Sequence, residues 1–213
     1  MTYITKFFYW EAGYYRTLDI ILDRAGYYIC WGCLVFVPGL YASPTLFGTG
    51  AVLKAVKMGK EEIIDYRLAI LITVLGLFFL GANYAADEQR QRVRATNGKT
   101  KIWGKSPKLV MAKYTVRNAL TKETKTQTTC LLASGLWGIA RHFNYSAEIC
   151  LAFCWCFSNA GFTALMPFAY FIHLTILLVH RSKRDDSKCS DKYGSAWKEY
   201  KKLVPYELIP GIF

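Results

Sequence analysis

Residues Leu68–Ala86 read LAILITVLGLFFLGANYAA, 19 consecutive positions without an ionised side chain. A helix needs about 20 apolar residues to cross hydrocarbon, so this run predicts a membrane-spanning helix. Upstream, Ala25–Leu53 is almost uncharged and predicts a second span, broken or kinked by Pro38 and Pro44, which lack a backbone donor. Lys54–Tyr66 reads as a short loop of near-balanced charge between them. Downstream, Cys130–Tyr145 (CLLASGLWGIARHFNY) is apolar but ends in Arg141, His142 and Asn144, and predicts a partial span. Ala147–Val179 is too long for one straight crossing and contains Ser158-Asn159-Ala160-Gly161 and Pro167. Two helices meeting near Asn159–Gly161 would form a hairpin. The expected fold is therefore all-α, a polytopic transmembrane helical bundle with a basic cytosolic C-terminal helical tail.

Composition supports that reading. Of 213 residues 53% are apolar and 16% aromatic, and the formal net charge is +12. The apolar residues are clumped, and the cations lie between the clumps. Lys and Arg occupy eleven positions in Asp87–Thr129, and they recur in His180–Phe213. By the positive-inside rule both segments are expected on the cytosolic side. Nucleic acid is excluded as the partner, because only a bilayer or a large core accepts the intervening runs; membrane lipid is expected instead. The alternation in Pro107–Val116 suggests a short strand or extended piece.

The aromatic, mixed-charge segment Met1–Arg24 suits an interface. Its first residues lack a signal peptide's features, so targeting is expected from internal segments. Seven cysteines, most inside apolar runs, read as buried thiols rather than a disulfide framework. Cys30-Trp31-Gly32-Cys33 has redox spacing but no βαβ context. Gly48-Thr49-Gly50 lacks the third glycine of a dinucleotide fingerprint, so a nucleotide pocket would have to lie between helices.

Three constellations carry chemistry. In HRSKRDDSKCSDKYG (His180–Gly194) an apolar helix runs into dense cations around an acidic pair. Arg181, Asp185, Cys189 and Lys192 or Tyr193 share a face of a continuing helix, with Gly194 as its C-cap and Ser195 as the N-cap of Ala196–Lys202. Such a face could grip a polyanion, although charge alone favours a juxtamembrane helix that meets anionic lipid. The segment SGLWGIARHFNY (Ser134–Tyr145) sets Arg141, His142 and Asn144 beside apolar residues, either as functional groups or as a membrane-edge flank. Arg90, Arg92 and Arg94 follow the span, as a positive flank or as phosphate-binding guanidiniums.

These residues resemble the sterol reductase family. HRSKRDDSKCSDKYG matches the family pattern His-Arg-x-x-Arg-Asp-x-x-x-Cys-x-x-Lys-Tyr-Gly at every specified position. SGLWGIARHFNY is similar to its Gly-Trp-Trp-Gly…Arg-His-x-Asn-Tyr segment, with Leu136 at the first Trp. RTLDIILDRAGYYICWGCLVFVPGLY and VPYELIPGIF resemble two further blocks. The Arg-His-Phe-Asn-Tyr form and the Pro-Gly-Ile-Phe ending are closer to the Δ7 than to the C14 reductases. The resemblance implies an endoplasmic reticulum membrane protein that reduces a sterol ring double bond with NADPH, in contact with other enzymes of sterol biosynthesis. It implies cofactor contacts by Arg90, Arg94, Leu132, Trp137, Asn144, Tyr145, Asp185, Cys189, Ser190, Asp191, Lys192, Tyr193 and Tyr200. Arg90 replaces the family's usual Lys, and Asp87 stands where Asn is common. An acid must protonate the alkene; candidates are Asp19, Asp23, Tyr27, Tyr28 and Glu148. No metal ligand set is expected.

Overall fold

The computed structural model describes residues 2–11, 15, 30–58, 66–117, 124–160 and 165–212, with no account of the side chains at 51, 52, 55, 56, 116, 117, 159 and 160. In chain order it contains helix α1 (Thr2–Tyr9), a π-helical stretch (Gly32–Tyr41), α2 (Ser43–Lys57), α3 (Tyr66–Ala95), strands β1 (Leu109–Arg117) and β2 (Thr124–Leu132), a 3-10 turn (Gly135–Gly138), α4 (Phe143–Ala160), a second 3-10 turn (Met166–Phe168), α5 (Ala169–Tyr193) and α6 (Ser195–Leu203). The chain divides into two compact units, Met1–Thr73 with Ala152–His173, and Val74–Leu151 with Leu174–Phe213.

Among the described residues, two helical stretches are long and apolar enough to cross a membrane, Gly32–Gly50 and Tyr66–Ala95. Their side chains are mostly uncovered: Leu34, Val35, Ile70, Leu71, Val74 and Phe78 are all exposed. The first stretch changes geometry at its prolines. Pro38 lies in the wider π-helical turn, and Ala42 breaks the path before α2 begins. Pro44 then sits in the first turn of α2, where no backbone donor is needed. The expected loop from Lys54 starts later, because α2 runs to Lys57.

The first unit is held by aromatic contacts. Tyr41 meets Trp155 and Tyr170 edge-on, with ring centroids 4.8 and 5.2 Å apart. Phe153 meets Phe171 at 5.5 Å. Pro44 and Pro167 are fully buried.

The second unit corrects the all-α expectation. β1 and β2 pair antiparallel from Leu109↔Leu132 to Arg117↔Thr124. The alternation read in Pro107–Val116 is therefore a strand, with Val110 and Ala112 buried and Met111 and Lys113 exposed. The partial span expected over 130–145 is also corrected. Cys130, Leu131 and Leu132 end a strand, Gly135–Gly138 is a 3-10 turn, and Phe143 opens α4. The Cys-Leu-Leu run is apolar on consecutive positions because both faces of the strand are covered. Leu131 joins Val110, Ala112, Trp197, Tyr200 and Val204 in one core cluster. Cys130 and Leu132 join Ala86, Val93, Ile102 and Trp137 in the other. A two-sided strand and a membrane segment look alike in sequence.

Gly135 connects the hairpin to the 3-10 turn with φ +65°. A Cβ there would press on the Gln89 carboxamide and an Ile102 methyl, as well as straining the backbone. Gly135→Ala is expected to cost about 1–3 kcal/mol. Gly81→Ala, on α3 with open space at the Cβ, should be neutral or slightly stabilising. Thermal unfolding of the detergent-solubilised chain checks the contrast.

Candidate functional site

The polar end of α3 builds the first wall. Asn83, Asp87, Arg90 and Arg94 follow one another at spacings of three or four and share a face. Asp87 is buried and accepts from Arg90 Nη2 at 2.9 Å and from Asn144 Nδ2 at 3.4 Å. Asn83 Nδ2 donates to the Asn144 carbonyl at 3.0 Å and to Glu148 Oε2 at 3.1 Å. The Arg90 guanidinium lies 4.4 Å from the Trp137 ring centre, a cation–π contact. Trp137 is itself fixed, because its Nε1 donates to the Ala86 carbonyl at 2.6 Å. Gln89 Oε1 accepts from the Leu136 backbone at 3.1 Å, so the 3-10 turn is pinned to α3 on two sides.

The second wall is Arg141–Ser146. Arg141 is buried, and its Nη1 donates to the Val204 and Pro205 carbonyls at 3.0 and 2.7 Å. Its Nη2 lies 3.6 Å from Glu207. The backbone N–H groups of Arg141 and His142 bond Tyr206 and Glu207, and Ser146 Oγ donates to the Leu208 carbonyl at 2.6 Å. This half of the motif therefore fixes the C-terminal tail. His142 stacks on Tyr145 with centroids 4.8 Å apart. Burial, with Arg141 and Arg90 nearby, pushes His142 down to about 4, so its ring is neutral near pH 7. The Tyr145 hydroxyl donates to Asp185 Oδ2 at 3.2 Å. Burial pushes that phenol up to about 12.

The third wall is α5. Ser182, Asp185, Cys189 and Tyr193 turn inward at helical spacing, while Lys183, Arg184, Lys188, Asp191 and Lys192 are exposed. Burial, then the Asp185 charge, raises the Cys189 thiol to about 11, which leaves little nucleophilic thiolate at neutral pH. Asp186 accepts from Trp197 Nε1 at 2.9 Å and Lys201 Nζ at 3.1 Å. Desolvation opposes its ionisation, but these two bonds prevail and hold its carboxyl low. Gly194, with φ +55°, separates α5 from α6, and Ser195 is the first residue of α6 rather than its cap. Burial pushes Tyr200 up to about 12 against the fields of Arg141, Arg90 and Arg94.

Of the residues expected at the site, Arg90, Trp137, Asn144, Tyr145 and Asp185 come together through these contacts. Cys189 and Tyr193 pack beside Tyr200 on the adjoining core cluster. Leu132 packs into the cluster that carries Trp137. Ser190 is half-buried, and Arg94, Asp191 and Lys192 are exposed. Lys192 Nζ lies 4.1 Å over the Tyr114 ring, a partner on β1. Asp19, Asp23, Tyr27 and Tyr28 lie outside the described residues. Among the described residues, buried atoms without a hydrogen-bond partner include Asn144 Oδ1, Asp185 Oδ1, His142 Nε2 and Arg141 Nε. Sequence reasoning gave no structural role to Asp87, Asn83 or Gln89. The helical spacing of Asp87 and Arg90 was the signal for the first; the other two answer to partners across the fold.

The whole chain, residues 1–213, matches the model of the ergosterol biosynthesis ERG4/ERG24 family. It is 47% identical over 213 residues to a 7-dehydrocholesterol reductase of Arabidopsis thaliana, covering 100% of this chain and 46% of the relative. It is 39% identical over 211 residues to a 7-dehydrocholesterol reductase of Xenopus laevis, covering 99% and 41%. It is 33% identical over 211 residues to a Delta(14)-sterol reductase of Methylotuvimicrobium alcaliphilum, covering 99% and 44%. The chain thus spans under half the length of these relatives.

The Arg141 clamp yields a prediction. Arg141→Lys keeps the charge but loses the planar fork that reaches two carbonyls. It should destabilise the chain by about 1–3 kcal/mol. Amide exchange should accelerate at residues 204–208, with the β1–β2 amides unchanged.

Proposed function

Because the chain belongs to the ergosterol biosynthesis ERG4/ERG24 family, we propose that it forms the cofactor-holding part of an NADPH-dependent reductase of a sterol ring double bond. The preferred bond is C7–C8 of 7-dehydrocholesterol-type sterols. Identities of 47% and 39% to 7-dehydrocholesterol reductases, against 33% to a Delta(14)-sterol reductase, support that choice. The proposed setting is the endoplasmic reticulum membrane, crossed more than once, in keeping with two stretches of sufficient length and apolarity.

The observation that carries the proposal is the convergence of Arg90, Asn144, Tyr145 and Asp185 through Trp137 and Asp87. These residues fit a dinucleotide. The Oδ1 atoms of Asn144 and Asp185, buried without partners, suit amide and hydroxyl donors. Arg90 and the exposed Arg94 suit phosphate, for which a guanidinium offers paired donors. Tyr200 is buried in the adjoining core cluster, and the exposed Lys192 adds a cation outside it. The bound cofactor supplies hydride. The chain holds and orients it, and keeps water from the reacting face. Protonation of the alkene produces the electron-poor ring carbon that accepts the hydride. Tyr145 keeps its proton well into alkaline pH and points it at Asp185, so its role here is positioning. The cluster can fix Asp185 but leaves the sterol's proton to another acid.

NADPH binding to the detergent-solubilised chain tests this reading. Asp185→Ala and Arg94→Ala are expected to weaken binding by about tenfold or more, the scale of one charge-assisted hydrogen bond, without loss of membrane insertion. Unchanged affinity in both variants rejects the site. Supplying the full-length enzyme with 7-dehydrocholesterol or with a sterol Δ14 alkene, each with NADPH, separates Δ7 from Δ14 reduction.

A further inference from the structure

The segment after α3 is built unlike an ordinary connector. Asn97 and Gly98 adopt φ of 50° and 84°, and the Gly98 N–H returns to the Val93 carbonyl at 2.9 Å. This reverses the chain at the helix end. Ile102 is then buried against Ala86 and Val93, so the loop runs back along the helix it has just left. At its tip Ile102 and Lys105 exchange two backbone hydrogen bonds of 2.9 and 3.0 Å. Trp103 and Gly104 occupy the turn with φ of 49° and 76°.

Asn-Gly suits such a turn, because both central residues have positive φ. Trp carries a backbone penalty there that burial in the core does not offset, since the residue is 67% exposed. Trp103 shares a shallow cleft with Ala85, Glu88 and Arg92. Ala85 and Ala86 end the uncharged run, and Asp87 and Glu88 begin the polar turns. The indole therefore stands at the level where α3 changes from apolar to charged. Lys99, Lys101, Lys105 and Lys108 flank it in sequence, all exposed.

We propose that the Lys99–Lys108 loop is a lipid-headgroup anchor, with Trp103 seated in the membrane interface and the four lysines holding anionic phospholipid. The inference rests on the membrane insertion of α3 proposed above. Indole favours the headgroup region, where an apolar ring and a polar N–H are both satisfied. Lysines within a Debye length of an anionic surface are attracted to it. The backbone strain at Trp103 fits a residue selected for what its side chain reaches rather than for the turn it makes.

The test uses the full chain reconstituted in phosphatidylcholine vesicles containing a minor share of phosphatidylserine. Subtracting the emission of Trp103→Phe isolates Trp103. Its emission should be blue-shifted and quenched by lipid carrying a nitroxide near the headgroup. Spin-labelled phosphatidylserine should quench it roughly fivefold better than spin-labelled phosphatidylcholine. Replacing the four lysines by Gln should bring that ratio to about one. Trp103→Gly, which relieves the strain, should keep or raise the melting temperature while abolishing the quenching, separating anchoring from folding. Water-like emission quenched by acrylamide, equal quenching by both lipids, or a blue shift only on adding a second protein would each overturn the anchor. Alkaline carbonate extraction distinguishes the failures. Release of the chain sinks membrane insertion and the anchor together; retention with a water-exposed Trp103 sinks the anchor alone.

Discussion

Arg141 ties the C-terminal tail to the start of α4. A buried guanidinium costs several kcal/mol unless its donors are matched. Here two backbone carbonyls and Glu207 take its Nη groups, while Nε is left without a partner. The carbonyls belong to Val204 and Pro205, immediately after α6, so satisfying the charge determines where α6 ends. Val204 is then fully buried among Val110, Ala112 and Leu131, with Trp197 and Tyr200 beside it. The hairpin gains one covered face from this docking and the other from Ala86, Val93 and Trp137. Cys189 and Tyr193 pack on the same cluster as Leu131, Tyr200 and Val204.

The cations of this chain consequently do two different kinds of work. Arg141 and Arg90 are spent inside the fold, one on carbonyls and one on Asp87 and the Trp137 ring. Lys183, Arg184 and Lys188 face outward from α5, where they add to the field of the surface. Arg94 lies at the border, exposed, yet close enough to oppose the upward shift of Tyr200. The net charge of +12 thus overstates what is available to a polyanion and says nothing about where. The anion-facing set has to be found residue by residue.

How far the sequence could be read follows from the range of each interaction. The apolar length of α3 was legible because hydropathy is local. The inward face of α5 was legible because Asp185, Cys189 and Tyr193 repeat at the period of one helix. Lys192 shares the motif but not the face, and its exposure is a consequence of the same period. Pairing between distant segments left no such signature. Asn144 reaches Asp87 across 57 positions, and Arg141 reaches Pro205 across 64. The second strand was missed for a related reason. Alternation marks a strand with one wet face, and Cys130–Leu132 has none. Gly194 was correctly read as a break, but its neighbour's role depended on a backbone angle that composition does not give.

The two tryptophans that flank the hairpin's approach to α3 show the same residue under opposite constraints. Trp137 is buried, with its N–H given to the Ala86 carbonyl and its face to Arg90. Each atom of the indole is accounted for by the protein, so replacing it by Phe would strand a polar contact and weaken the cation–π one. Trp103 has an ordinary ring on an unfavourable backbone and no enclosing side chains. A fold selected for stability alone would put Asn or Gly at that turn, since either tolerates positive φ at lower cost. The difference lies in what completes each side chain. For Trp137 it is the chain itself; for Trp103 it has to be something outside the chain, at the depth where α3 exchanges alanines for carboxylates. The helix that supplies the arginines of the site also sets that depth. The proposed anchor and the proposed cofactor wall are therefore fixed to one helix, α3.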